Sequence, residues 1–137
     1  MKEEALADKI GIIAKKAKSL TLTGRFKESI AKYQKGIALL GATVMQSKYA
    51  VMLFCGVGEA YFLQKEWKEA LVYYGKAVAS EGGLGEPLIH LRLGQIRFEF
   101  GHFEKAADEL MRAYMGGGNL IFKGEDPKYF KLIEPLL

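Results

Sequence analysis

The chain is expected to be all-α: three helix–turn–helix units closed by a short C-terminal helix. Three observations predict this. Thr23-Gly24-Arg25-Phe26-Lys27-Glu28-Ser29-Ile30, Gln64-Lys65-Glu66-Trp67-Lys68-Glu69-Ala70-Leu71 and Phe100-Gly101-His102-Phe103-Glu104-Lys105-Ala106-Ala107 fit one template, with Phe26, Trp67 and Phe103 at equivalent places, 41 and 36 residues apart. Apolar residues recur at steps of three and four, and no alternating stretch competes with them. Most of the 16 glycines fall between those periodic stretches. A repeat of this length means stacked helical hairpins rather than one fold around a buried catalytic centre.

The first helix is expected over 3–22, where Leu6, Ile10, Ile13, Ala17 and Leu20 form one stripe. Gly24 then serves as its C-terminal cap. The second covers 26–40, with Phe26, Ile30, Tyr33 and Ile37 on one face, and stops near Gly41. The third is expected over about 44–64, carrying Val51, Phe54, Val57, Tyr61 and Phe62. The fourth, about 67–80, carries Trp67, Leu71, Tyr74 and Val78. Gly82-Gly83-Leu84-Gly85 forces a turn, and Pro87 suits the first turn of a fifth helix, where its missing N–H is no loss. That helix ends near Phe100-Gly101. The sixth covers about 103–115 and stops at Gly116-Gly117-Gly118. A last short helix begins at Asp126-Pro127 with Asp126 as N-cap. Its Tyr129, Phe130, Leu132 and Ile133 would cover a terminal core face that otherwise meets water.

Length and composition bound the rest. The 137 residues fit a single domain, with repeats at about 10–41, 51–84 and 87–118 and a cap over 119–137. The lone Cys55 excludes an internal disulfide and suits a reducing compartment. No apolar run follows Lys2-Glu3-Glu4, and none reaches the roughly 18 residues of a membrane span, so a cytoplasmic location is expected. The net charge of +4 is uneven: residues 1–50 hold ten Lys/Arg against four Asp/Glu, and the remainder ten against twelve. The basic half suits an acidic partner or nucleic acid, although a solvated lysine face explains it as simply. The aromatic-interleaved pattern of single-strand binders is absent, which disfavours nucleic acid.

The second unit reads Phe54-x-x-Val57-Gly58-x-x-Tyr61, then Ala70, Tyr74 and Ala77. The third reads His90-x-x-Leu93-Gly94-x-x-Arg97, then Gly101, Ala106, Leu110 and Ala113, and the steps Gly58 to Gly94 and Ala70 to Ala106 are both 36. The first unit is degenerate, with Ile13, Lys16, Ala17, Leu20, Gly24, Ser29, Tyr33 and Gly36. Over about residues 10–118 these motifs resemble the tetratricopeptide repeat (TPR) family. Lys16 and Arg97 depart from its pattern of large apolar and aromatic residues. The resemblance implies a short right-handed superhelix of paired helices. Small residues at Ala17, Gly58 and Gly94, and at Ser29, Ala70 and Ala106, would then mark close helix approaches. Leu at Ala70 should overpack that contact by about 1–3 kcal/mol.

Residues 85–95, 106–114 and 124–130 are also similar to short bacterial TPR proteins, some of which serve as immunity partners of polymorphic toxins. The TPR resemblance implies a protein partner held in a concave groove lined by the first helix of each pair. Carried over, those positions are Ala14, Lys15 and Lys18; Met52, Cys55, Gly56, Glu59 and Phe62; and Leu88, Leu91, Arg92, Gln95, Phe98 and Glu99. Met52 and Phe62 would take apolar anchors; Lys15, Lys18 and Arg92 would pair with carboxylates. Met52, Leu88 and Leu91 equally suit packing between units. Gly56 has no packing duty in the template, so a partner backbone could approach it closely. The co-chaperone clamp for C-terminal carboxylates maps onto Ala14, Lys18, Gly56, Leu88 and Arg92. Only two of these five are basic and none is Asn, which disfavours that grip.

Chemistry is poorly supported. His90 falls on a core position and His102 in a tight turn. No zinc spacing occurs, and Cys55 has no histidine near it in sequence. Gly56-Val57-Gly58 lies within a helix and follows no strand, so it is not a phosphate loop. The expectation is a non-enzymatic protein-binding module without cofactor or metal. It would neutralise a toxin, hold a secreted protein before export, or, through the basic first helix, associate with nucleic acid.

Overall fold

The structure is a computed structural model, described here over residues 2–137. Among these residues there are seven α-helices, three short 3₁₀ segments and no strand. They divide into two compact units, one ending at Glu81 and the other spanning Gly82–Leu137.

The first unit holds two hairpins, α1 (Glu3–Leu22) with α2 (Phe26–Leu40) and α3 (Ala50–Leu63) with α4 (Trp67–Ala79). Its core gathers Ile10, Ala17, Tyr33, Leu53 and Val57, with Leu6, Ile30, Ile37, Tyr61 and Tyr73 packed around them. The second unit holds α5 (Pro87–Glu99), α6 (Phe103–Gly117) and α7 (Pro127–Ile133). Leu91, Leu110, Ala113, Phe122, Tyr129 and Ile133 form its core, so the C-terminal segment supplies half of it.

The three hairpin turns share one construction. After α1, Gly24 N–H donates to Thr21 O and Arg25 N–H to Leu20 O. After α5, Gly101 N–H donates to Phe98 O and His102 N–H to Arg97 O. Both glycines are left-handed, at φ +77° and +79°. This pair of bonds satisfies carbonyls that the helix end would otherwise leave open. Between α3 and α4 the same bonds run from Lys65 to Phe62 and from Glu66 to Tyr61. Lys65 therefore adopts φ +59°, the one non-glycine residue to do so among those described.

The small residues sit where helices meet. A Cβ on Gly58 would lie 2.8 Å from the Tyr74 ring, and one on Gly94 would lie 2.6 Å from Leu110. Ser29, Ala70 and Ala106 are fully buried. Ser29 Oγ donates to Ala17 O at 2.7 Å, tying α2 to α1.

Two expected boundaries are corrected. The third helix starts at Ala50 rather than near 44, and Gly41–Gln46 form a 3₁₀ segment with Thr43 off helical geometry. Its carbonyl at Met45 accepts from Glu81 N–H, and Ser80 Oγ reaches Met45 Sδ at 3.5 Å. Ser47 Oγ accepts from Tyr49 N–H just before the helix begins. This docked insertion accounts for a first repeat of 41 residues where the next has 36. The sixth helix runs through Gly116 to Gly117, and Gly118 at φ +64° ends it. Asp126 caps α7 as expected, accepting from Lys128 N–H at 3.0 Å.

Candidate functional site

The expected groove residues lie on α1, α3 and α5, and the two units present them in different states.

In the first unit, Lys15 and Lys18 are exposed on α1. Neither meets a carboxylate at ion-pair distance; the exposed pairs here are Arg25–Glu28 and Lys48–Glu3. Ala14 is half-buried beside them. On α3, Met52 is 43 % exposed, while Cys55, Gly56, Glu59 and Phe62 are half-buried. Glu59 Oε1 accepts from Tyr74 OH at 2.7 Å, which fixes its carboxylate. Phe62 packs edge-on against Trp67 with ring centroids 5.2 Å apart. Burial pushes the Tyr33 phenol above its ordinary pKa, and neighbouring Cys55 and Glu59 add to the push.

Gly56 corrects an expectation. It does have a packing duty: a Cβ there would fall 2.2 Å from the Tyr33 ring. The ring comes from α2 and lies over the α3 backbone, where a partner's backbone was expected. Sequence reasoning missed this because Tyr33 was assigned only to the core stripe of its own helix.

In the second unit, the groove positions of α5 are engaged by the chain itself. Arg92 Nη1 donates to Glu125 Oε1 at 2.8 Å and to Gln95 Oε1 at 2.8 Å. Gln95 is fully buried, and its Nε2 donates to the same Glu125 oxygen at 2.6 Å. Glu99 Oε2 accepts from Tyr129 OH at 3.1 Å and pairs with Lys128 Nζ at 2.9 Å. Phe98 packs edge-on against Tyr129, centroids 5.2 Å apart, and Lys128 Nζ lies over the Phe98 ring. Burial and then the Glu99 carboxylate raise the Tyr129 phenol well above its ordinary pKa. Leu91 is core, whereas Leu88 is 59 % exposed. Arg92 was expected to await a partner's carboxylate; Glu125 already supplies one. No sequence signal joined them, since they stand 33 residues apart and Glu125 lies outside the repeat template.

His90 is a satisfied interior imidazole, 5 % exposed, with Nδ1 2.7 Å from Glu109 Oε2 and Nε2 2.6 Å from Leu84 O. His102 is exposed. Cys55 is a free, half-buried thiol. Among the described residues no group of three His, Cys, Asp or Glu is placed to hold a metal ion. No helix among them is long and apolar enough to cross a membrane. Two open clefts mark the second unit, about 320 Å³ beside Arg97 and Asp108 and about 430 Å³ around Pro87, His90 and Met115. Neither is lined by the groove residues.

No protein-family model matches the chain. No curated protein matches it in sequence. Solved structures do match. The C-terminal TPR-containing domain of a Plasmodium falciparum protein named as FK506-binding superposes with a TM-score of 0.75 at 16 % identity, covering 99 % of this chain and 93 % of that one. The first TPR domain of the human RPAP3 protein gives 0.72 at 21 % identity, covering 92 % and 93 %. The chain therefore has the fold of TPR domains.

Proposed function

We propose that the protein is a non-catalytic protein-binding module whose docking surface is the α1–α3 face of the first unit. Lys15, Lys18, Met52, Cys55, Glu59 and Phe62 would line it. One observation carries the reading. Lys15 and Lys18 stand exposed without an ion-pair partner, whereas the corresponding face of α5 is taken up by Glu125, Lys128 and Tyr129. Exposed cations on α1, with an exposed Met52 and a half-buried Phe62 on α3, supply the mix of residue types that protein interfaces use. The residues Arg92, Gln95, Phe98 and Glu99 are assigned to holding the C-terminal segment instead.

The test is affinity capture from the native host with mass spectrometry, comparing wild type with Lys15→Ala/Lys18→Ala. The double variant should keep its helical spectrum and melting temperature and lose most of the captured partner. Unchanged capture moves the site elsewhere, to the convex face or to the loops at 41–48 or 82–86. The nature of the partner separates the narrower roles. Nanomolar binding of a folded toxin domain supports neutralisation, and weaker binding of extended segments supports a chaperone for a secreted protein.

A further inference from the structure

The first hairpin has a second face, on the side away from α3. Contacts Thr21–Ser29, Ala17–Ser29 and Ile13–Gly36 show that α1 and α2 run antiparallel. Tyr33 marks the side of α2 that meets α3, because its ring lies over Gly56. At about 100° per residue, Lys32 and Leu39 lie about 100–120° round α2 from Tyr33, and Lys35 about 160° in the same sense. Lys9, Ile13, Lys16 and Leu20, spaced by four, three and four, form the stripe of α1 on that same outward side.

The two stripes have a definite chemistry. Ile13 and Leu20 are half-buried, Leu39 is 41 % exposed, and Ile12 on the edge is 69 % exposed. Lys9, Lys16 and Lys35 are exposed, Lys32 is half-buried, and none of the four has a carboxylate partner. Glu28, at the end of the α2 stripe, is neutralised by Arg25 through two bonds of 2.9 and 2.7 Å. Asp8 is the one acid on the edge without such a partner. Half-buried Ile13 and Leu20 and the exposed Leu39 therefore form an apolar strip along the α1–α2 seam, edged by four lysines without a carboxylate partner. By contrast, the end of the third hairpin is covered by α7, which places Ile133 and Tyr129 in the core.

We infer that this outward face docks an acidic amphipathic helix of a partner protein. Its apolar stripe would lie along Ile13, Leu20 and Leu39, and carboxylates on its flanks would meet Lys9, Lys16, Lys32 and Lys35. Aliphatic residues set between the lysines favour a helix over nucleic acid, which needs phosphate contacts and, in single strands, aromatic platforms. A second copy fits poorly. A copy of the same face offers the same four lysines, so pairing the face with itself sets like charges together.

The probe is a synthetic helical peptide of about 18 residues with leucine on one stripe and glutamate on both flanks. Its counterpart carries lysine flanks. Fluorescence anisotropy should show binding of the glutamate peptide alone, weakened by salt. Lys9→Glu/Lys16→Glu/Lys32→Glu/Lys35→Glu should lose at least about tenfold in affinity, and so should the milder Lys→Gln set, with melting unchanged. Lys15→Ala/Lys18→Ala should bind the peptide as wild type does, which separates this face from the α1–α3 surface. NMR shifts should concentrate on residues 9–20 and 32–39. The inference is overturned if both peptides bind alike or neither binds. It is also overturned if a single-stranded oligonucleotide binds these lysines in the peptide's place, or if the chain self-associates through them.

Discussion

At the scale of the residue, the three turns offer an internal comparison. Gly24 and Gly101 adopt a left-handed backbone freely, and Lys65 adopts it with a side chain, at a cost of roughly 1–2 kcal/mol. Lys65→Gly should therefore raise the unfolding free energy by about 1 kcal/mol in urea denaturation. Two glycines inside helices should respond in opposite directions. Gly75 has nothing within 4 Å of an added Cβ, so Gly75→Ala should stabilise α4 by up to about 1 kcal/mol. Gly56→Ala drives its methyl into the buried Tyr33 ring and should cost about 1–3 kcal/mol despite the better helix former. Tyr129 sets an alkaline limit. Its folded pKa lies above the ordinary value of about 10, so folding opposes ionisation. The stability it contributes is complete below that value and is lost as pH climbs beyond it. Urea midpoints measured from about pH 9 to 11 should fall, and Tyr129→Phe should flatten the fall.

At the scale of the element, the C-terminal segment is as much core as cap. Ile133 is fully buried, and Ile133→Ala should destabilise the second unit by about 2–5 kcal/mol in thermal or urea melts. Glu125→Ala removes the carboxylate shared by Arg92 and the buried Gln95, and should cost about 1–3 kcal/mol. Helix boundaries were readable to within two residues wherever a glycine, a proline or the Asp126 cap punctuated an apolar stripe. They failed at 41–49 because Val44, Met45 and Val51 continue a helical spacing, while the segment is fixed by bonds to Ser80 and Glu81 more than thirty residues away. The candidate site was legible in part for the same reason. Template positions located Lys15, Lys18 and Met52. The partners of Arg92 and Glu99 come from a segment that no template describes.

At the scale of the whole molecule, one helical template is used three times and filled unequally. The first fifty residues carry six more positive than negative charges and the remainder two fewer, so the first hairpin stands apart from the rest in charge. The core of the first unit draws on Ile10, Ala17, Tyr33, Leu53 and Val57, all within its own residues. Residues 1–81 expressed alone should therefore keep a helical circular-dichroism spectrum and melt cooperatively; a random-coil spectrum would refute this.

The closed polar cluster around Glu125 has a bearing on engineering. Anyone grafting a peptide grip onto this scaffold would first turn to α5, where an arginine and a glutamine already stand at recognition positions. A guest acid introduced there must evict a resident one, and with it the anchor of α7. New specificity is better built from Lys15, Lys18 and Met52, where nothing has to be displaced before a ligand can enter.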